Sequence, residues 1–266
     1  MASARSAIAN IHPSAVIDPG ARIPDSCRIG PYCVVGPEVE MGEECELIAH
    51  VVLTGPTRLG AHNRIFPFAS VGQEPQDLKF KGEKTRLEIG DHNVIREFAT
   101  IHRGTPGGGG VTRVGNHTLI MAYVHIAHDC QIGSHVIMAN AATLAGHVTV
   151  EDYAMVGALC PVHQFVRIGA HSYIGGGTTI TRDVLPFSKT SSARDAKAYG
   201  LNTVGLERRG FSRERLRKLH HAYRVLLNSK LNTSQALGKL RAEGDQGEDV
   251  ESLIKFVESS ERSIIK

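Results

Sequence analysis

Every sixth residue over most of this chain is aliphatic. Ile11, Ile17, Ile23, Ile29, Val35, Met41, Leu47, Leu53, Leu59, Ile65 and Val71 follow one another without a break. The phase survives a polar interruption from Gln73 to Arg86 and resumes at Ile89, Ile95 and Ile101. It then slips by one across Gly104 to Gly110 and runs on as Val114, Ile120, Ile126, Ile132, Met138, Leu144, Val150, Val156, Val162, Ile168, Ile174 and Ile180. Twenty-six aliphatics in register exclude chance. A period of six fits neither a helix, with about 3.6 residues per turn, nor a lone alternating strand. It fits a triangular solenoid: each hexad makes one short side, eighteen residues make a coil, and the aliphatics point into the prism.

Burying each aliphatic contributes roughly 1.5–3 kcal/mol, set against a comparable entropy of ordering the chain. A one-residue slip within a coil would expose a column, so the two interruptions are expected to loop out between hexads. Eleven of the twenty-six aliphatics are followed directly by glycine, among them Gly30, Gly42, Gly60 and Gly72. The expectation is a tight corner at these glycines, in a conformation costly for other residues. Trp is absent and aromatics make up only 5%, in keeping with an interior of small and branched residues.

The period ends after Ile180, and Ser188 to Tyr199 reads as a connecting loop. Helical spacing then takes over. Ser212 is a candidate N-cap, and Leu216, Leu219, Tyr223 and Leu226 share one face. A second helix is expected from Thr233, and a third carries Val250, Leu253, Ile254 and Val257. The chain thus divides into a β-helix over residues 1–190, with loops at 73–86 and 104–110, and a linker with a small α-helical domain over 191–266. Arg208, Arg209, Arg213, Arg215, Arg217, Lys218 and Arg224 crowd the first helix, opposed locally only by Glu207 and Glu214. They are either a solvated face or a docking patch for an acidic partner or a phosphate-bearing substrate.

A net charge of +3 is too small to indicate a nucleic-acid binder. The five cysteines, Cys27, Cys33, Cys45, Cys130 and Cys160, are odd in number and lack a C-x-x-C pair, so neither a disulfide framework nor a zinc knuckle is indicated. Reduced thiols and a cytoplasmic location are expected. The opening Met1 to Ser6 stretch shows no apolar export segment, and no run of eighteen apolar residues exists.

Chemistry concentrates at His125-Ile126-Ala127-His128-Asp129-Cys130. Residues eighteen apart stack about 4.8 Å apart in such a solenoid. By that arithmetic His147 falls beside Asp129, Gly146 beside His128, and His163 one coil beyond Ala145. These histidines can be structural groups on a polar face, ligands of a metal, or a general-base site in which a carboxylate orients an imidazole that titrates near the working pH.

Several segments resemble the UDP-N-acetylglucosamine acyltransferases, hexapeptide-repeat enzymes of lipid A synthesis. They are Gln76-Asp77-Leu78-Lys79-Phe80, Thr100-Ile101-His102-Arg103-Gly104-Thr105, His125 to Cys130, Leu144-Ala145-Gly146-His147-Val148, Val162-His163-Gln164-Phe165 and Gly205-Leu206-Glu207-Arg208-Arg209-Gly210-Phe211. The resemblance covers nearly the whole chain and implies a mainly β fold, a left-handed parallel β-helix followed by a small α-helical domain. It implies a homotrimer with active sites between subunits, acyl carrier protein and UDP-N-acetylglucosamine as partners, and no cofactor beyond the phosphopantetheine on the carrier.

By matching position, the resemblance makes His128 the general base, Asp129 its support and the Gly146 N–H the oxyanion donor, with no metal. It places Asp77, Lys79, His102, His125, His147, His163, Gln164, Asn202 and Arg208 on the substrates. Gly176, about 13 Å along the coils from His128 at sheet spacing, matches the position that limits acyl length, and its bare hydrogen points to a long chain. Two departures bear on the sugar nucleotide. Ser192-Ala193-Arg194-Asp195-Ala196 stands where relatives carry Gly-Asn-x-Ala, and Val204 stands where they carry Glu. The rival readings are an N-acyltransferase acting later in the same pathway, a trimeric zinc carbonic anhydrase, and a solenoid scaffold without activity.

Overall fold

The computed structural model describes residues 10–191 and 195–266. The opening segment read for an export signal lies outside the described residues, as do Ser192, Ala193 and Arg194 of the first departure. The chain forms two compact units that divide after Asp129.

In the first unit, two- to four-residue strands pair in parallel in three sets. One set runs Val16–Ile17, Val34–Val35, Val52–Leu53, Ser70–Gln73, Thr100–His102 and His125–Ile126. The others start at Arg28–Ile29 and at Val39–Met41. Pairing partners such as Val16 and Val34 are eighteen residues apart, so one coil is three hexads. The interruptions change that number. Ser70 pairs with Thr100, thirty residues on, so the first loop adds twelve, a whole number of hexads, and the phase survives it. Thr100 pairs with His125, twenty-five on; the second loop adds seven, which is why the phase slips by one.

From Ile29 onward the hexad aliphatics are sealed, with Ile65, Ile95, Ile101, Ile120 and Ile126 fully buried, whereas in the first coil Ile17 and Ile23 are half-buried and Ile11 is exposed. A second column, four residues past each aliphatic and buried from Cys27 onward, carries small side chains and holds all five cysteines. They are free thiols, and Cys27, Cys45, Cys130 and Cys160 donate to carbonyls of the following stretch at 3.0–3.2 Å. Burial pushes the Cys45 thiol up to about 11, a packing role rather than a reactive one.

The corners overturn the expectation about glycine. Of the eleven glycines that follow an aliphatic, Gly72 alone has a positive φ. The left-handed residue is instead the third after the aliphatic, from Tyr32 to His171, at φ 52–64° and never glycine. Left-handed backbone costs an L-residue about 1–2 kcal/mol, and where the corner residue carries a ring, stacking offsets it. Tyr32, His50, Phe68, Phe98 and Tyr123 stack with centroids 4.9–5.0 Å apart, and His62, His92 and His117 at 4.5 and 4.8 Å. Glycine serves close approach: a Cβ on Gly30 would lie 1.7 Å from the Ile48 carbonyl oxygen.

The second unit repeats the pattern in strands such as Gln131–Ile132, Thr149–Val150 and Arg167–Ile168. The segment read as a connecting loop contains two strands. Ser188–Ser191 pairs in parallel with Tyr173–Ile174, and Lys197–Leu201 runs back antiparallel to it, because alternating residues of Ser188–Ser191 are buried. Four helices follow: α1 (Thr203–Arg208), α2 (Arg213–Asn228), α3 (Thr233–Ala242) and α4 (Glu248–Glu258). Ser212 caps α2 as expected, accepting from Arg215 N–H. Asn232 and Gln235 form a capping box on α3, and α1 was not anticipated. The helices share a core with Leu185 and Phe187 from the end of the coils. Tyr223 donates to the Pro186 carbonyl, and Arg167 lies over the Phe256 ring at 4.3 Å. None of the described helices is long and apolar enough to cross a membrane.

Candidate active site

In the first unit, the hexad that buries Ile126 places His128 on its flank and Asp129 at its left-handed corner, φ 62°. Asp tolerates that conformation better than most residues. His128 Nδ1 lies 2.8 Å from Asp129 Oδ2, with 17% of the imidazole exposed and none of the carboxylate. A carboxylate accepts, so Nδ1 carries the proton and Nε2 presents its lone pair.

The loop 104–110 does more than bulge out. Thr105 N–H donates to Asp129 Oδ1 at 2.8 Å and Thr105 O–H to Oδ2 at 2.6 Å. Asp129 N–H donates to Thr112 Oγ1 at 2.7 Å. A Cβ on Gly108 would sit 2.0 Å from Asp129 Cγ, so glycine there lets the loop close on the carboxylate. Thr105, Gly108 and Thr112 were not read from the sequence. The available signal was a seven-residue insertion, rich in glycine, one coil ahead of the histidine segment.

His125 and His102 form a second group. His125 Nδ1 is 2.7 Å from Thr100 Oγ1, its partner in strand register. His102 stands behind it, only 6% exposed, with an Nδ1 that has no hydrogen-bond partner among the described residues. Burial, reinforced by His125, pulls His102 down to about 4, and burial also lowers His125. In the loop 73–86, Lys79 is exposed while the Asp77 carboxylate accepts from the Lys79 amide at 2.9 Å. Arg103 lies 5.6 Å from the Phe80 ring centroid and tethers that loop.

In the second unit, Gly146 is buried and its carbonyl accepts from Phe165 N–H at 3.2 Å. His147 is a left-handed corner residue stacked on Phe165 at 4.5 Å. His163 and Gln164 are exposed, with His163 Nδ1 3.2 Å from the Gln164 carbonyl. Gly176 is exposed, and a Cβ there would meet Ala158 O at 3.3 Å. Asn202 caps α1 and donates to the His171 carbonyl at 3.1 Å. With Arg208 and Val204 it lines a cavity of about 540 Å³ whose apolar wall is Ile137, Met155 and Tyr173.

The arginine group is only partly a free patch. Arg215 is held by both oxygens of Asp249, on α4, at 2.7 and 2.8 Å. Arg209 donates to the Tyr153 carbonyl at 2.9 Å. Arg208, Arg213, Arg217 and Arg224 remain exposed. Asp249 is distant in sequence, so a count of local acids could not find it.

Residues 183–265 match the family described as Udp N-acetylglucosamine O-acyltransferase, domain 2, and residues 112–146 match the bacterial transferase hexapeptide family of six repeats. An acyl-[acyl-carrier-protein]–UDP-N-acetylglucosamine O-acyltransferase of Alkalilimnicola ehrlichii is 51% identical over 199 residues, covering 75% of this chain and 77% of the relative. The crystal structure of the UDP-N-acetylglucosamine O-acyltransferase of Moraxella catarrhalis is 43% identical and superposes with a TM-score of 0.93 over 97% of this chain and 100% of that one. The Francisella novicida UDP-N-acetylglucosamine acyltransferase is 40% identical, with a TM-score of 0.93 over 96% of this chain and 93% of that one. The chain is therefore a member of the UDP-N-acetylglucosamine O-acyltransferase family, acyltransferases built on the left-handed parallel β-helix of hexapeptide repeats.

Proposed function

We propose that this protein transfers a 3-hydroxyacyl chain from acyl carrier protein to the 3-hydroxyl of UDP-N-acetylglucosamine, the first step of lipid A synthesis, with His128 as the general base. The observation that carries the reading is the asymmetry of the pair: an imidazole with one edge still reachable from outside, backed by a carboxylate with no exposed surface. With its proton held on Nδ1 by Asp129, His128 takes the hydroxyl proton at Nε2. The sugar oxygen attacks the thioester carbon, and the oxyanion is assigned to the Gly146 N–H, eighteen residues on in sequence. The C–S bond then breaks, and the thiol of the phosphopantetheine leaves with the proton carried by His128.

No metal or further cofactor enters this scheme. Both Asp129 oxygens already accept from donors, a hold that suits orienting an imidazole. His125, supported by His102 and Thr100, together with Lys79, Asp77, His147, His163 and Gln164, is assigned to the substrates. Asn202 and Arg208, on the wall of the 540 Å³ cavity, are assigned to the nucleotide and phosphopantetheine. The exposed arginines of α2 are assigned to the acidic carrier protein. A cytoplasmic homotrimer with sites completed between subunits accompanies this reading, because acyl carrier protein is a soluble intracellular donor and one flat solenoid face cannot enclose an acyl chain.

The test is an activity matrix of acyl-carrier-protein donors of several chain lengths against UDP-N-acetylglucosamine and UDP-3-O-acylglucosamine. Ester formation on the first acceptor supports the reading. Turnover of the second alone would replace it with the N-acyltransferase.

A further inference from the structure

The Asp129 carboxylate, with no exposed surface, is held on both oxygens by a residue outside its own hexad. Thr105 donates twice to it, from N–H to Oδ1 at 2.8 Å and from O–H to Oδ2 at 2.6 Å. The Thr105 carbonyl closes its own loop by accepting from Gly108 N–H at 3.1 Å and Gly110 N–H at 2.8 Å. Thr105 is 6% exposed, so these bonds do not compete with solvent. Thr112, fully buried, pins the Asp129 amide from the other side.

We propose that Thr105 is a positioning residue for the reaction, clamping Asp129 through both oxygens so that one rotamer of Asp129 and one tautomer of His128 are kept. This rests on the reading of His128 as the base. The physical reason lies in the shared acceptor. Oδ2 receives both the Thr105 hydroxyl and the His128 Nδ1–H, so the hydroxyl fixes the direction from which the imidazole must approach. A carboxylate at a left-handed corner, freed of Thr105, can rotate about its Cβ–Cγ bond and offer the imidazole another edge. Gly108 belongs to the same device, because any side chain there would occupy the space of the carboxylate.

The test compares Thr105→Val, Thr105→Ser, Gly108→Ala and Gly107→Ala in the full-length protein. It measures kcat and KM for the sugar-nucleotide acceptor and the Nδ1–H resonance of His128 in protein labelled with 15N-histidine. Thr105→Val keeps size but loses the hydroxyl. It is expected to lower kcat roughly 10- to 100-fold, the scale of a misplaced catalytic group, with KM changed by less than about twofold. The Nδ1–H resonance should shift or vanish. Thr105→Ser restores both readouts, which a merely structural methyl contact would not predict.

Should Thr105→Val not fold, Gly108→Ala supplies the same disturbance, whereas a Cβ on Gly107 meets nothing within 4 Å and Gly107→Ala is expected to behave as the unmodified protein. Normal kcat and an unchanged Nδ1–H signal in Thr105→Val, or in Gly108→Ala if that is the folded variant, overturn the proposal. His128→Ala separates the two layers. Activity surviving in His128→Ala removes the base reading itself; an inactive His128→Ala beside a fully active Thr105→Val removes only the clamp.

Discussion

His102 and His125 meet edge to face, with ring centroids 5.2 Å apart and planes at 78°. Burial holds His102 at about 4 and lowers His125 as well. His171, packed between Tyr153 and Phe187, is likewise held at about 4 by burial and the nearby Arg209. In the folded protein His102 and His171 therefore stay neutral down to about pH 4, while the unfolded chain protonates them near 6.5. The unfolded state binds more protons in that window, so stability falls as pH drops from about 6.5 to 4, by up to roughly 3 kcal/mol for each histidine. Thermal unfolding should show this loss, and the His102→Gln, His171→Gln double variant should show a shallower one. An identical acid slope in the double variant would remove these two histidines as its cause.

His128→Ala should leave the coils intact, because the imidazole is on the flank and Ile126 fills the interior. Turnover should fall by about 10²- to 10⁴-fold, the usual share of a positioned general base. Circular dichroism and steady-state kinetics on the same preparation check both halves. Near-normal turnover would take the base role from His128.

The two kinds of glycine should respond oppositely. Gly30→Ala puts a Cβ 1.7 Å from the Ile48 carbonyl oxygen, a backbone clash that must push neighbouring coils apart. A loss of more than about 2 kcal/mol is expected, in line with overpacking of a close-packed interior. In α3, a Cβ on Gly238 meets nothing within 4 Å, so Gly238→Ala should stabilise by about 0.5–1 kcal/mol through helix propensity. Denaturant titration of the two variants reads the contrast directly, and equal effects would refute it.

Gly176→Met should shift donor preference toward shorter acyl chains. The position is exposed, and its Cβ would press only on Ala158 O at 3.3 Å, so the side chain can be accommodated and extend outward. Relative kcat/KM across a series of acyl-carrier-protein donors measures the shift. An unchanged profile would place the acyl-length limit elsewhere.

Much of this fold is legible residue by residue because its repeat is local. The hexad aliphatics announce the coils, since burial demands the same residue type at each turn. The loops announce themselves by polarity and glycine, and whether the phase survives or slips gives the remainder of their lengths, twelve and seven residues beyond a coil, on division by six. Ser212 announces α2 through its cap. The two misread places have non-local causes. Ser188–Ser191 becomes a strand because Tyr173–Ile174 offers it an edge, and the glycines after the aliphatics are required by the neighbouring coil rather than by their own φ.

The segment from His125 to Cys130 shows the same division. Its order in the chain determines that Ile126 faces inward, that Cys130 falls in the small interior column, and that His128 and Asp129 are adjacent. Only the tertiary structure decides that Asp129 turns its carboxylate onto both His128 and Thr105, that His102 stands neutral behind His125, and that Asp249 occupies Arg215. A periodic pattern specifies which face a residue takes, since that depends on its own hexad. Hydrogen-bond partners come from loops and helices tens of residues away, and their approach is set by how the chain closes in three dimensions.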